Sequence, residues 1–291
     1  MSVTDEHVEH WRENGYVVVE HFLTSGEVLN AQRDLRARFP SELHYRTAPG
    51  LFRDASGVVS REPPFLGETL NFVSVHPDII AFAKLVLGTE RVVPTFALVW
   101  AKYGNIDWWD QPLHVDDMYQ SPLNPEDHGR CEEVSFIIYL VDMTEYNGPT
   151  YIVSKKHTRD LPLVPYLRPR NAFPELYRHE RPVLGSAGLM LIYDARTTFH
   201  RGALFVWPHG VRFSLHLSYR RADGPSTGYG AWGGVGTSVV MNAVALHHEQ
   251  ILMRAETGVS YANPGTYDLR ARSMAGSRAC VFPEPAELSI P

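Results

Sequence analysis

From Arg91 onward the chain reads as a succession of short strands with no helical pattern between them. That feature limits the fold more than any other. Val92-Val93, Phe96 to Trp100, the segment around His114, Val134 to Val141, Thr150 to Val153, Leu189 to Tyr193 and Val211 to Tyr219 are apolar or alternating runs of strand length. Turns separate them, most plainly Asn147-Gly148-Pro149. A parallel sheet needs helical crossovers, and none is visible here, so the expected architecture is an antiparallel barrel or sandwich. A jelly roll leads, mainly β, with helices packed outside it.

The helices come first. Thr4 caps a short helix carrying Val8 and Trp11 and stopping at Gly15, and Tyr16 to Val19 follows as a buried strand. Thr24 and Glu27 form a capping box for a second helix, with Val28, Leu29, Ala31 and Leu35 expected inward. Between Ser41 and Phe72 the periodicity fails, and such a long excursion suits a lid or binding loop. Pro77 and Gly88 bracket a third helix. The glycine-rich stretch 224–236 reads as a loop, with no Lys-Ser/Thr to cradle phosphate, and Ala243 to Arg254 as a last helix. One domain over 1–291 is expected: a helical part over 1–90, a jelly-roll core over 91–222, and a C-terminal loop and helix over 223–291.

A net charge of -6 argues against nucleic acid or an anionic membrane as partner. Two cysteines, Cys131 and Cys280, are too few for a disulfide framework. The N-terminus is polar and acidic, unlike a signal peptide, and no run of about 18 apolar residues stands out. A cytoplasmic protein acting on a small molecule is expected, with its oligomeric state open.

The chemistry concentrates in Gln111-Pro112-Leu113-His114-Val115-Asp116. In a strand, side chains alternate, so His114 and Asp116 share a face and can bite one divalent metal. A His-x-Asp pair alone is weak evidence, since a hydrogen-bonded pair at a strand end looks the same. Two histidines and one carboxylate form the facial triad of non-haem Fe(II) oxygenases. His200 fits as the second histidine, because Leu189 to Asp194 leads as a buried strand into the turn before it. His157, which follows two lysines, His209 in a Pro-His-Gly turn and His216 are its rivals, His216 the most serious. In Val211 to Ser218, Arg212, Ser214, His216 and Ser218 alternate with apolar residues, so one face carries them inward. A buried arginine calls for an anion; a carboxylate meets the guanidinium fork, and Ser214 stands two residues on. A solvent-exposed face, or a protein carboxylate paired with Arg212, would give the same pattern.

Across most of its length the chain resembles the phytanoyl-CoA dioxygenase family of Fe(II)/2-oxoglutarate-dependent oxygenases. The resemblance is carried by Trp11 to Leu23, Gln111 to Asp116, Leu140 to Val153, Gly188 to Gly202, and Arg212 about a dozen residues after His200. It implies that His114, Asp116 and His200 hold Fe(II), that Arg212 anchors 2-oxoglutarate, and that O2 is the oxidant, with succinate and CO2 released. Related halogenases replace the carboxylate with a small residue, so Asp116 favours hydroxylation or a related oxidation. Ser154-Lys155-Lys156-His157 departs from the family's Pro-Gly-Ser-His, which affects the substrate side. Gln111 and Lys102 are further candidates for holding 2-oxoglutarate, although strand-edge residues of these types are often only solvated. Trp108 and Trp109 line the substrate mouth or pack in the core. Arg46, Arg53, Arg61, Arg168, Arg170 and Arg178 are surface charge or contacts to an acidic or CoA-linked substrate. Two other readings stay open: a cupin-type metal enzyme that uses no 2-oxoglutarate, and a non-catalytic binding member of the fold.

Overall fold

The computed structural model describes residues 3–53, 59–61, 65, 67–104, 106, 110–116, 133–162 and 167–222. The expected C-terminal loop and helix, and Trp108 and Trp109, lie outside them.

The N-terminal elements follow their capping chemistry. Helix α1 (Asp5–Asn14) starts where Thr4 N–H donates to His7 Nδ1 at 3.0 Å and ends at Gly15, whose φ of 81° suits glycine. Gly15 also sits against the site: its carbonyl accepts from Asp194 N–H and Thr198 Oγ1, each at 2.9 Å. A Cβ there would lie 2.7 Å from Thr198 Oγ1. Strand β1 (Tyr16–Val19) leads to α2 (Ser25–Arg36), which opens on the Thr24–Glu27 capping box. Val28, Ala31 and Leu35 are buried in α2 as expected, but Leu29 is 65% exposed. One residue along a helix turns the side chain about 100°, so Leu29 cannot share the face of Val28.

The expected irregular excursion is more ordered than its sequence suggests. It contains α3 (Glu42–Thr47), a 3-10 turn at Pro49–Leu51, β2 (Val59–Arg61) and α4 (Thr69–Val73), before α5 (Pro77–Leu87). Thr69–Leu87, which takes in α4 and α5, has by length and composition alone enough apolar residues to cross a membrane, and half of it is buried in the fold.

Two antiparallel sheets make the core. Strand β3 (Val92–Tyr103) is one long strand, where two shorter runs were expected. It is followed by β4 (Leu113–His114), β5 (Glu133–Tyr139), β6 (Thr150–Val153) and β7 (Leu167–Arg168). Helix α6 (Pro174–Arg178), β8 (Glu180–Pro182), β9 (Met190–Asp194), β10 (His200–Gly202) and β11 (Val211–Arg221) complete the described chain. The six-stranded sheet runs β1-β9-β5-β11-β3-β2 and the five-stranded sheet β7-β4-β10-β6-β8. This is the jelly-roll arrangement, with helices outside.

Alternation divides the large sheet. One face meets the N-terminal part through Phe82 of α5 on Phe136 and Phe39, between α2 and α3, on Phe213, with ring centroids 6.2 and 5.3 Å apart. The other faces the small sheet, where Ile137, Tyr139, Leu189, Leu191 and Tyr193 cluster with Ile152 and Val183. Each such apolar side chain taken from water contributes roughly 1.5–3 kcal/mol.

Glu42 ties α3 to the turn that launches β11. Its carboxylate accepts from Gly210 N–H and His209 Nδ1, both at 2.9 Å, and from Arg46 Nε at 2.9 Å. Burial alone would raise its pKa, but these donors together lower it to about 2. A depressed carboxyl stabilises the fold above the ordinary carboxylate pKa, and that stabilisation disappears as pH falls through the folded-state value. Glu42→Gln is therefore expected to cost on the order of 1 kcal/mol near neutral pH, discounted for partial exposure. In denaturant unfolding, the gap between wild type and variant should close as pH drops from about 5 towards 2. A gap independent of pH would show that Glu42 acts only through packing.

Candidate metal centre and anion pocket

Strand β10 lies between β4 and β6, with His200 opposite His114 on one side and Ile152 on the other. Opposed residues of an antiparallel pair share a face, so the two imidazoles come together, with ring centroids 4.6 Å apart. Asp116 joins them differently from the sequence expectation. Strand β4 ends at His114, and Asp116 sits in the following turn, where its N–H donates to Ala195 O at 2.9 Å. Ala195 follows β9, so the carboxylate is set by a second strand and not by alternation along its own.

His114, Asp116 and His200 each present one ligand atom, all within 4.8 Å of one another. Asp116 Oδ1 lies 3.8 Å from His114 Nε2 and 3.5 Å from His200 Nε2. The tautomers follow from the backbone. His114 Nδ1 is 2.8 Å from Pro112 O and His200 Nδ1 is 3.1 Å from Thr198 O. A carbonyl only accepts, so each Nδ1 carries the proton and each Nε2 keeps a lone pair for the centre. Two neutral imidazole nitrogens and a carboxylate oxygen, oriented this way, suit a first-row divalent ion with open positions.

The three groups shift one another's titration. Burial, then the neighbouring His200, lowers the pKa of His114. Burial also pulls on His200, but Asp116 outweighs it, so the His200 pKa is raised. Burial would lift the Asp116 carboxyl, yet His200, His114 and Tyr193 together hold it well below the usual carboxylate range.

Tyr193 is a site residue that the sequence reading missed. Its hydroxyl donates to Asp116 Oδ2 at 2.8 Å, leaving Oδ1 facing the two imidazoles. Behind it, Ser135 hydrogen-bonds the Tyr193 hydroxyl, and Ser135 and Ser218 Oγ atoms are 2.8 Å apart. The only hint in the sequence is a phenol on an otherwise apolar buried strand.

The neighbouring segments are locked by charge. Buried Arg201 donates to Glu180 Oε2 and Oε1 at 2.7 and 3.0 Å and to Asp110 Oδ1 at 2.6 Å. Removing Glu180 from the buried Arg201–Glu180 pair costs about 3–5 kcal/mol, because a charge is stranded. Gln111 belongs to this support: its Oε1 accepts from Gly202 N–H at 2.8 Å. It ties the His114 segment to β10.

The second half of the site lies on β11 and β3. Arg212 stands directly opposite Lys102, and both are nearly fully buried, 4% and 2% exposed. Arg212 Nη1 donates to Gly148 O, and Lys102 Nζ to Ala203 O. Gly148 takes a φ of 71°, and a Cβ there would lie 2.8 Å from Ala203 O. The Asn147-Gly148-Pro149 turn thus forms a floor that admits little but glycine. Ser214, with no exposed surface, is the next inward residue after Arg212. Two adjacent buried cations and a hydroxyl are groups of the kind that bind a carboxylate.

The rival histidines are elsewhere. His157 stacks on His179 at 3.9 Å, and His209 is exposed beside Glu42. His216 faces the interior, but its Nε2 is 3.0 Å from Ser214 Oγ and it is no part of the triad cluster. Several of the scattered arginines have partners within the protein. Arg46 pairs with Glu42, Arg53 Nε donates to Tyr45, Arg168 lies over Phe173, Arg170 pairs with Glu180 and Arg178 with Glu175. The Arg61 side chain lies outside the described residues.

The family model for phytanoyl-CoA dioxygenase (PhyH) matches residues 11–203, more than half of the chain. The chain belongs to this family. Its match takes in His114, Asp116, His200 and Lys102 and stops before Arg212. Among solved structures, the fold is similar to the non-haem α-ketoglutarate-dependent epimerase SnoN from nogalamycin biosynthesis. That likeness has 20% identity, 75% of this chain and 82% of that one covered, and a TM-score of 0.53. The carbocyclase SnoK from the same biosynthesis shows 18% identity over 76% and 85% of the two chains, with a TM-score of 0.56. HygX from Streptomyces hygroscopicus, with nickel and 2-oxoglutarate bound, shows 15% identity over 78% and 90%, with a TM-score of 0.56. At these identities the likeness is one of fold. No curated protein matches the sequence significantly.

Tyr193→Phe removes the hydroxyl while keeping the ring. Loss of such an outer partner is expected to weaken divalent-metal binding by about 10-fold or more in a direct titration. An unchanged affinity would show that the Asp116 turn fixes the carboxylate without Tyr193.

Proposed function

We propose that the protein is an Fe(II)- and 2-oxoglutarate-dependent oxygenase that hydroxylates, or otherwise oxidises, a small organic substrate. One observation carries the reading: the converging Nε2, Nε2 and Oδ1 atoms share an interior with the buried Lys102–Arg212 pair. Family membership and the fold shared with 2-oxoglutarate-dependent enzymes support it.

His114, Asp116 and His200 would hold the iron, with each Nδ1 proton kept on a carbonyl so that Nε2 stays free to bind. Bound iron, with 2-oxoglutarate and O2, supplies the oxidising chemistry, and 2-oxoglutarate leaves as succinate and CO2. Arg212 would take the far carboxylate of 2-oxoglutarate through its fork, Lys102 would add a second positive charge, and Ser214 would donate its hydroxyl proton. The buried apolar cluster that includes Ile137, Leu189 and Leu191 would help keep water from the bound co-substrate. Asp116 stands where the related halogenases carry a small residue, which favours oxygen transfer over halogenation. SnoN and SnoK are an epimerase and a carbocyclase, so the fold hosts outcomes besides hydroxylation.

The test is anaerobic addition of Fe(II) and then 2-oxoglutarate, followed by the weak visible absorption of the chelate. The band should form with wild type, fail with His114→Ala or Asp116→Ala, and need more 2-oxoglutarate with Arg212→Ala. Iron binding without any band would remove 2-oxoglutarate and leave a cupin-type enzyme. Absence of iron binding would leave a non-catalytic binding protein.

A further inference from the structure

On β11 the inward row is Arg212, Ser214, His216 and Ser218, and His216 is the member that neither the triad nor the arginine accounts for. Its Nε2 lies 3.0 Å from Ser214 Oγ, and Trp100, opposite Ser214 on β3, packs its ring at 4.6 Å and 32°. The imidazole is therefore held in place beside the serine.

The chemistry of the anion fixes which atom donates. A carboxylate has only acceptor oxygens, so Ser214 can bind one only by giving it the hydroxyl proton. The Ser214 oxygen then has lone pairs left for His216, which must carry its proton on Nε2. With the opposite tautomer the hydroxyl would donate back to Nε2 and present lone pairs to the anion, which repels it. Burial, and then the charge of Arg212, lower the His216 pKa to about 3, so the ring adds a donor without adding a charge that would compete for Asp116.

We propose that His216 is a positioning residue for the co-substrate: its Nε2–H donates to Ser214 Oγ and so directs the serine proton at the far carboxylate of 2-oxoglutarate beside Arg212. The inference rests on the 2-oxoglutarate reading above and goes beyond it in making recognition of the anion depend on a residue that does not touch it.

The experiment is an anaerobic titration of the Fe(II)-loaded protein with 2-oxoglutarate, followed by the chelate band. It is repeated with 2-oxopentanoate, which keeps the keto acid end and lacks the far carboxylate. His216→Leu should weaken 2-oxoglutarate binding about tenfold, the size of one lost hydrogen bond, and Ser214→Ala by a similar factor. The double variant should bind no more weakly than Ser214→Ala alone, because His216 acts through the serine. His216→Gln, whose amide N–H can replace Nε2–H, should recover most of the affinity. All four proteins should bind 2-oxopentanoate as wild type does, which also shows that they are folded. If His216→Leu weakens binding as much in the Ser214→Ala background, or weakens both acids equally, the proposal is overturned. A wild type that does not prefer 2-oxoglutarate over 2-oxopentanoate would instead overturn the co-substrate reading itself.

Discussion

The pairing of β10 between β4 and β6 is the constraint on which the rest of the site depends. A strand of three residues has little stability of its own, yet it sets His200 opposite His114 in register. A slip of one residue would turn His200 to the other face and bring Arg201 inward. Three contacts hold the register. Gln111 bridges to Gly202 on both its backbone and its side chain, Arg201 is clamped by Glu180 and Asp110, and Thr198 is tied to Gly15. The buried ion pairs serve geometry here more than net stability, since such pairs recover little beyond their desolvation cost.

The interior is polar along one line and apolar elsewhere. From Arg212 through Ser214 and His216 to Ser218, the inward face of β11 carries groups that a core would ordinarily exclude. Arg212 donates to Gly148 O, His216 packs on Trp100 of β3, and Ser218 meets Ser135 of β5. Tyr193 extends the same hydrogen-bonded set to Asp116. Under the proposed reading, Arg212 and Lys102 would meet the far carboxylate of 2-oxoglutarate while the triad meets its chelating end.

Much of this was legible in the chain, for identifiable reasons. Short strands without intervening helices fixed the antiparallel class, and capping signals placed α1, α2 and α5 closely, because both depend on local chemistry. The alternation in Val211 to Ser218 put Arg212 and Ser214 inside, and the structure agrees. Strand context made His114, Asp116 and His200 candidates and the family resemblance named them together, and the structure brings them together, although Asp116 leaves the strand and is held by Ala195. What the sequence hid was long-range. Tyr193 meets Asp116 across 77 positions, and Gln111 meets Gly202 across 91. Leu29 misled because hydrophobicity was read without the helical angle, and the excursion after Ser41 because its helices are too short to show a period.

The most direct measurement is a crystal structure of the protein grown anaerobically with Mn(II) and 2-oxoglutarate. Manganese should sit on His114 Nε2, Asp116 Oδ1 and His200 Nε2, with the far carboxylate of 2-oxoglutarate against Arg212 and Ser214. A metal bound elsewhere, or a co-substrate carboxylate turned away from Arg212, would contradict the account.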